Sequence, residues 1–128
     1  MSDPRDSSAD SASEAYMSEK RNPPVRLEDA VRRVPEPGLA RQILAWNPQM
    51  MLVRHEMEAG WKGASHSHSH EQMVYVIRGR LRFVCGDQTF EAAAGDSFIV
   101  PGGVEHQAAA LEPAEVLDFF VPCREDYA

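Results

Sequence analysis

Four of the five histidines in this 128-residue chain fall in two short segments: His66, His68 and His70 in SHSHSHEQ, and His106 in PGGVEHQ. Neutral imidazole offers a nitrogen lone pair near pH 7, so histidines brought together hold a metal ion or move protons. On an extended chain, residues i and i+2 project to the same side, which lets His66 and His68 reach one ion together. Gln72 follows four residues after His68 and can return on the next strand, and His106 can arrive from a distant one. Three imidazoles and a carboxamide suit one divalent transition metal (Zn, Ni, Fe, Co, Cu or Mn) better than Mg or Ca, which take oxygen ligands. An alternating Ser-His run is also what a solvated loop with incidental metal affinity looks like.

The elements that must position these side chains begin near residue 25. Residues 1–24 hold six serines, five acids and three prolines but no Val, Ile, Leu, Phe or Trp. Such a segment buries too little apolar surface to offset its ordering entropy, and a disordered acidic, Ser-rich tail is expected there. From residue 25 to 128 the pattern is that of one domain. Short apolar runs at 39–46, 50–57, 73–77, 81–85, 97–100 and 116–121 are separated by Gly, Pro, Asn and Asp. Gly86-Asp87 fits a two-residue hairpin turn into 88–91. Only 27–34 has helical character, and Pro35 and Pro37 stop it within two turns. The fold class is therefore all-β, an antiparallel sandwich or small barrel. The run 73–77 is apolar on both faces, which predicts contact with a second subunit and hence a homodimer.

Composition narrows the setting. The net charge of -7 argues against nucleic-acid binding, because phosphate neutralisation needs a basic surface. No apolar run is long enough to span a bilayer, and the first 24 residues carry no apolar signal core, so no membrane association is expected. Two cysteines, Cys85 and Cys123, make no disulfide framework, and a cytoplasmic location is expected. Cys85 lies in the alternation Leu81, Phe83, Cys85 and reads as a buried, inert thiol.

The spacing around the histidines resembles a known family. Gly60, His66-Ser67-His68, Gln72 and Gly79 stand at the intervals of the first cupin motif, with Gln72 where Glu is commonest. Gly95, Pro101, Gly103 and His106 follow the second motif, with Ala110 where Asn often closes it. The chain is thus similar to single-domain cupins, jelly-roll barrels with a metal in the mouth. That resemblance makes His66, His68, Gln72 and His106 the metal ligands and leaves His70 at the pocket rim or in solvent. HSHSHEQMVYVIRGRLRF and the ending LDFFVPCREDY resemble the KdgF family of pectin degradation proteins. This implies ring opening of 4,5-unsaturated monouronates to the linear keto form. It also places Asp118, Phe120 and Arg124 at positions that line that family's active site.

Chemistry supports such a division of labour. A neutral Gln72 leaves a bound divalent ion its full charge, which favours a small anionic substrate. Arg124 offers a planar fork for a carboxylate, and Asp118 can carry a proton. Both are also compatible with solvated surface pairing. Two other functions fit the same residues: a cupin dioxygenase using Fe or Cu on an organic acid or diketone, and a non-catalytic metal-dependent binding module. Phe119 and Phe120 must face opposite sides of a strand. Trp46 and Tyr75 are expected to pack, and His55 to sit at the surface or core edge. Trp61 fits either a pocket roof or an exposed site. Arg78, Arg80 and Arg82 are expected to form a solvated hairpin end.

Overall fold

The structure is a computed structural model that describes residues 23–127; the expected tail lies outside the described residues apart from Pro23 and Pro24. A single 3-10 turn at Leu27–Asp29 precedes nine strands. These are β1 (Arg33–Glu36), β2 (Leu39–Asn47), β3 (Met50–Met57), β4 (Glu71–Arg78), β5 (Arg80–Cys85), β6 (Gln88–Ala93), β7 (Ser97–Val100), β8 (His106–Ala110) and β9 (Ala114–Val121). They pair antiparallel in two sheets, β1-β2-β3-β9-β4-β7 and β6-β5-β8. This is the all-β antiparallel fold that the sequence pattern predicts, in the jelly-roll form that the resemblance implies.

Alternation explains why these segments are strands. In β3 the inward positions Met51, Val53, His55 and Met57 are buried, and in β9 so are Ala114, Val116, Asp118 and Phe120. Val74 and Val76 of β4 meet Leu81 and Phe83 of β5, Ala92 of β6 and Ala110 of β8 in one apolar core between the sheets. Met51, Val53, Phe120 and Cys123 make a second cluster nearer the mouth. At about 25 cal/mol per Å² of apolar surface, this shared burial is the main force closing the barrel. The expected hairpin is present: Cys85 pairs with Gln88, and Gly86 adopts φ 59°.

Two expectations need correction. Residues 27–34 do not form a helix beyond the one turn. So short a helix is marginal in water, and Val34, preceding a proline, is steered to extended backbone. Residues 33–36 instead form the edge strand β1, where Pro35 removes no central ladder bond. Gln42 of β2 donates to the carbonyls of Leu27 (3.3 Å) and Ala30 (3.1 Å), tying that segment across the sheet. Trp46 and Tyr75 are not core residues; they are 44% and 47% exposed. The run 73–77 is apolar on both faces, as expected, with Val74 and Val76 inward and Met73, Tyr75 and Ile77 exposed on the outer face.

The expected solvated hairpin end holds ion pairs. Arg78 reaches Glu56 and Glu115, and Arg80 reaches Glu91 and Glu112. Between these arginines Gly79 has φ +84°, and a Cβ there would stand 2.2 Å from the Pro113 carbonyl oxygen and 2.7 Å from Ala114 Cα. Neither backbone atom can move without breaking the start of β9. Gly79→Ala should therefore destabilise the fold by more than about 2 kcal/mol, read as a lower urea midpoint. An unchanged midpoint would refute this account of the turn.

Candidate metal centre

Strand register builds half of the site. Across the inner face of the large sheet, Phe120 pairs with Met51 and Gln72, Asp118 with Val53 and Val74, and Val116 with His55 and Val76. Arg41 of β2 pairs in turn with His55. Gln72, Asp118, His55 and Arg41, far apart in sequence, thus form one diagonal stripe across β4, β9, β3 and β2. Val53, Val74, Val76, Val116 and Phe120 flank the stripe along the ladders, so its buried members must largely satisfy one another.

They do so in a chain. Arg41 Nε donates to His55 Nε2 (2.9 Å), which leaves the His55 proton on Nδ1. His55 Nδ1 then donates to Asp118 Oδ2 (2.6 Å), and Gln72 Nε2 donates to Asp118 Oδ1 (2.8 Å). Both oxygens of Asp118 are occupied by donors, and the direction of the Gln72 amide is fixed. Its Oε1 faces the other half of the site, 3.1 Å from His68 Nε2.

That other half comes from a loop and from the small sheet. His66 and His106 form an isolated bridge, with His66 N donating to His106 O (3.0 Å) and His106 N to His66 O (2.8 Å). The loop is pinned again where Gly103 N donates to His68 O (2.7 Å). Gly102 lies so close beneath it that a Cβ would stand 2.4 Å from the Ser69 carbonyl oxygen. The pattern Pro101-Gly102-Gly103 is therefore needed for contact with the histidine loop as well as for turning. From below, Phe83 stacks on His106 with centroids 6.0 Å apart and planes 12° apart.

Each of the three imidazoles donates from Nδ1 to a backbone carbonyl: His66 to Ala64 (3.0 Å), His68 to His70 (3.1 Å) and His106 to Val104 (2.9 Å). The lone pairs are consequently on Nε2. One ligand atom from each of the three lies within 4.8 Å of the others. His68 Nε2 and Gln72 Oε1 are then two acceptors facing each other at 3.1 Å, an arrangement that calls for a cation between them. With bonds of about 2.1 Å, two adjacent ligands of one ion stand roughly 3 Å apart. The donor set fits a divalent transition metal.

The cavity in front of these groups measures about 260 Å³. His66, Gln72, His106, Asp118, Phe120 and Arg124 are among its lining residues, and Leu39, Met57 and Val116 form an apolar floor. The structure thus brings the four expected ligands, Asp118, Phe120 and Arg124 to one place. Arg124 is not a free fork, however: its Nε and Nη2 donate to Asp126 (2.9 and 2.7 Å), while its guanidinium lies over the Phe120 and Tyr127 rings. Burial alone would lower the Arg124 pKa, but the Asp126 carboxylate outweighs it and keeps it above the usual value. Phe120 faces inward, 1% exposed, and Phe119 faces out.

Trp61 takes the pocket position, lining the cavity while its Nε1 donates to Glu36 (2.7 Å). His70 is half-buried, edge-on to His68 and Phe120, and its buried Nδ1 has no hydrogen-bond partner. Cys85 is half-buried and apart from the cavity, and burial raises its pKa. His55 corrects an expectation: it is buried, 8% exposed, and belongs to the stripe. It has no motif around it, yet it shares inward parity with Met51, Val53 and Met57, which is the signal that reveals it. Arg41, one register position away, carries no such signal.

Burial pushes the pKa of His68 and of His106 below the ordinary 6.5, with Arg124 and the neighbouring histidines adding repulsion. The unfolded chain therefore takes up protons at these two rings below pH 6.5 while the folded chain resists them. Stability of chelator-treated protein should fall between about pH 7.5 and pH 5.5 as the pH is lowered. Urea midpoints at the two values check this, and equal midpoints would contradict it.

Comparison with known proteins agrees with this geometry. The Cupin domain family matches residues 53–120. The pectin degradation protein KdgF of Dickeya dadantii is 30% identical over 92 residues, which cover 70% of this chain and 84% of that protein. The structure of KdgF from a Halomonas species superposes with a TM-score of 0.79 at 31% identity, covering 83% of this chain and 98% of that one. An RmlC-like cupin from Shewanella frigidimarina gives a TM-score of 0.78 at 33% identity, covering 80% and 93%. Fold, histidine cluster and these likenesses agree: the chain belongs to the cupin family and is a single-domain cupin of the KdgF kind.

Proposed function

We propose that the protein is a metal-dependent cupin enzyme that opens the ring of 4,5-unsaturated monouronates from pectin or alginate breakdown, giving the linear keto form. The Asp118 carboxylate carries this reading: it is one hydrogen bond from the Gln72 amide, which in turn faces the histidine cluster, and it lines a cavity of about 260 Å³. That volume suits a monosaccharide. Similarity to a pectin degradation protein points to the same substrate class.

His66, His68, Gln72 and His106 would hold the ion. A bound divalent cation would supply Lewis acidity and a site for substrate oxygens, with no charge cancelled by the neutral Gln72. The chain's own residues supply the remainder. Each Asp118 oxygen keeps a lone pair beyond its one hydrogen bond, with which Asp118 can take the proton of the C1 hydroxyl as the bond between C1 and the ring oxygen breaks. The same proton returned to C4 completes the enol-to-ketone change, so the reaction is an isomerisation that needs no oxidant. Phe120 and the apolar floor exclude water around the reacting carbons, and Arg124 lends positive charge at the mouth.

Loss of the ultraviolet band of an unsaturated uronate should accelerate with the protein loaded with Zn, Ni or Fe, without oxygen uptake. Asp118→Asn should lower the rate by about 10²–10⁴. Blank-rate decay with all three metals would remove the uronate reading, and oxygen consumption would favour a dioxygenase instead. The reading includes a cytoplasmic homodimer. Met73, Tyr75, Ile77 and Ile99, exposed on the outer face of the large sheet, supply the apolar surface for it. A dimeric mass by light scattering, reduced to monomer by Tyr75→Glu, is expected; a monomeric wild type would rule the dimer out.

A further inference from the structure

We infer that Arg41, outside every motif of the chain, is the primary carboxylate anchor of the cavity, and that the substrate's acid group docks on its guanidinium fork. The inference deepens the uronate reading and rests on it for the identity of the natural substrate alone.

Charge and satisfaction lead to it. Arg41 is half-buried on β2 and lines the same cavity as the histidine cluster and Asp118. Its Nε is committed to His55, a neutral partner, and its guanidinium carbon lies 3.8 Å from the Tyr127 ring centroid. Its two terminal nitrogens have no hydrogen-bond acceptor, and its charge no carboxylate within ion-pair distance, among the described residues. Arg124 is different, since Asp126 already takes two of its donors. The Arg124 guanidinium lies over the same Tyr127 ring at 4.2 Å. Two guanidinium charges within about 8 Å of each other repel, and one carboxylate, Asp126, serves only one of them directly. A partly desolvated guanidinium with no carboxylate bonded to it directly, and Asp118 reached only through His55, favours an incoming anion. A fork held at Nε and stacked on an aromatic ring has lost most of its rotamer freedom, so little entropy remains to be lost on binding.

The register fixes where that anion would sit. Arg41 and His55 are cross-strand partners, and His55 holds Asp118. A carboxylate on Arg41 therefore lies at the opposite end of the stripe from Gln72 and the histidines. A molecule anchored there would extend along the stripe, past Asp118, toward the ion. The class of ligand is a small carboxylate with oxygens at its far end. Arg41 also lines a neighbouring bay together with Arg33 and Asp126.

Calorimetric titration of the zinc-loaded full chain tests this, using two matched pairs of probes: galacturonate with its methyl ester, and 2-furoate with 2-furamide. Wild type should bind each carboxylate more tightly than its neutral partner. Arg41→Gln should lower that preference by about 10–100-fold while leaving affinity for the neutral partner and the zinc content unchanged. A merely structural role would weaken both members of a pair alike. Should Arg41→Gln fail to hold zinc, Arg41→Lys decides, because it keeps the charge without the fork and must show a reduced preference. An unchanged preference in the deciding variant, or no preference in wild type, overturns the inference. Preference for furoate that depends on Arg41, with no binding of galacturonate and no ultraviolet turnover, sustains Arg41 as the anchor and removes only the uronate reading.

Discussion

One carboxylate holds the two halves of this molecule's polar centre in relation to each other. Asp118 stands in the middle of β9, the strand between β3 and β4, and receives a hydrogen bond from each side. Without it, Gln72 would lose the partner that orients its amide, and His55 would keep a buried Nδ1 proton with nowhere to go. A buried acceptor of this kind is costly unless both oxygens are satisfied, and the β-ladders place a donor against each. The tautomer of His55 and the direction of Gln72 Oε1 both follow from that requirement. Arg41 is placed by it too, through the acceptor nitrogen that His55 is left with.

The barrel makes this arrangement possible by segregating chemistry within the sheets. Beside the stripe and from the facing sheet, Val74, Val76, Val116, Leu81 and Phe83 form one apolar core. On the outer face Arg54, Glu56, Arg78 and Glu115 pair among themselves, away from the cavity. The acidic total of the chain, net -7, therefore says little about the mouth, where Arg41 and Arg124 flank Tyr127. An anion there responds to the local field, because screening by water is weakest where the walls are apolar.

Much of this is legible in the residues, and the illegible parts have physical reasons. His66, His68, Gln72 and His106 announce themselves because metal ligands need fixed chemical types, and glycines and a proline mark the turns around them. Strand limits at Met50–Met57 and Ser97–Val100 coincide with the apolar runs, since alternation and burial are the same fact seen twice. His55 was hidden because an inward position is normally apolar and a lone histidine carries no partner in its own segment. Its partners sit on β2 and β9, and only register brings them together. Arg41 is the same case carried one strand further. Strand β1 is masked in the sequence because Leu27–Asp29 does start as a turn, while the prolines that end a helix do not forbid an edge strand. Tyr75 and Trp46 are more exposed than expected because an aromatic residue's type does not disclose which face of its strand is covered.

The isolated bridge between His66 and His106 has a kinetic consequence. Two of the imidazoles are spaced by main-chain hydrogen bonds, and their rings are aimed by the carbonyls of Ala64 and Val104, so nothing about their spacing waits for an ion. Uptake at such a preassembled site demands almost no rearrangement of the chain. Exchange between one metal and another is then governed by how fast water and imidazole leave each ion, and hardly by motion of the protein. Which metal is found in the cavity would therefore follow the ions available around the folded protein, and would change as they change.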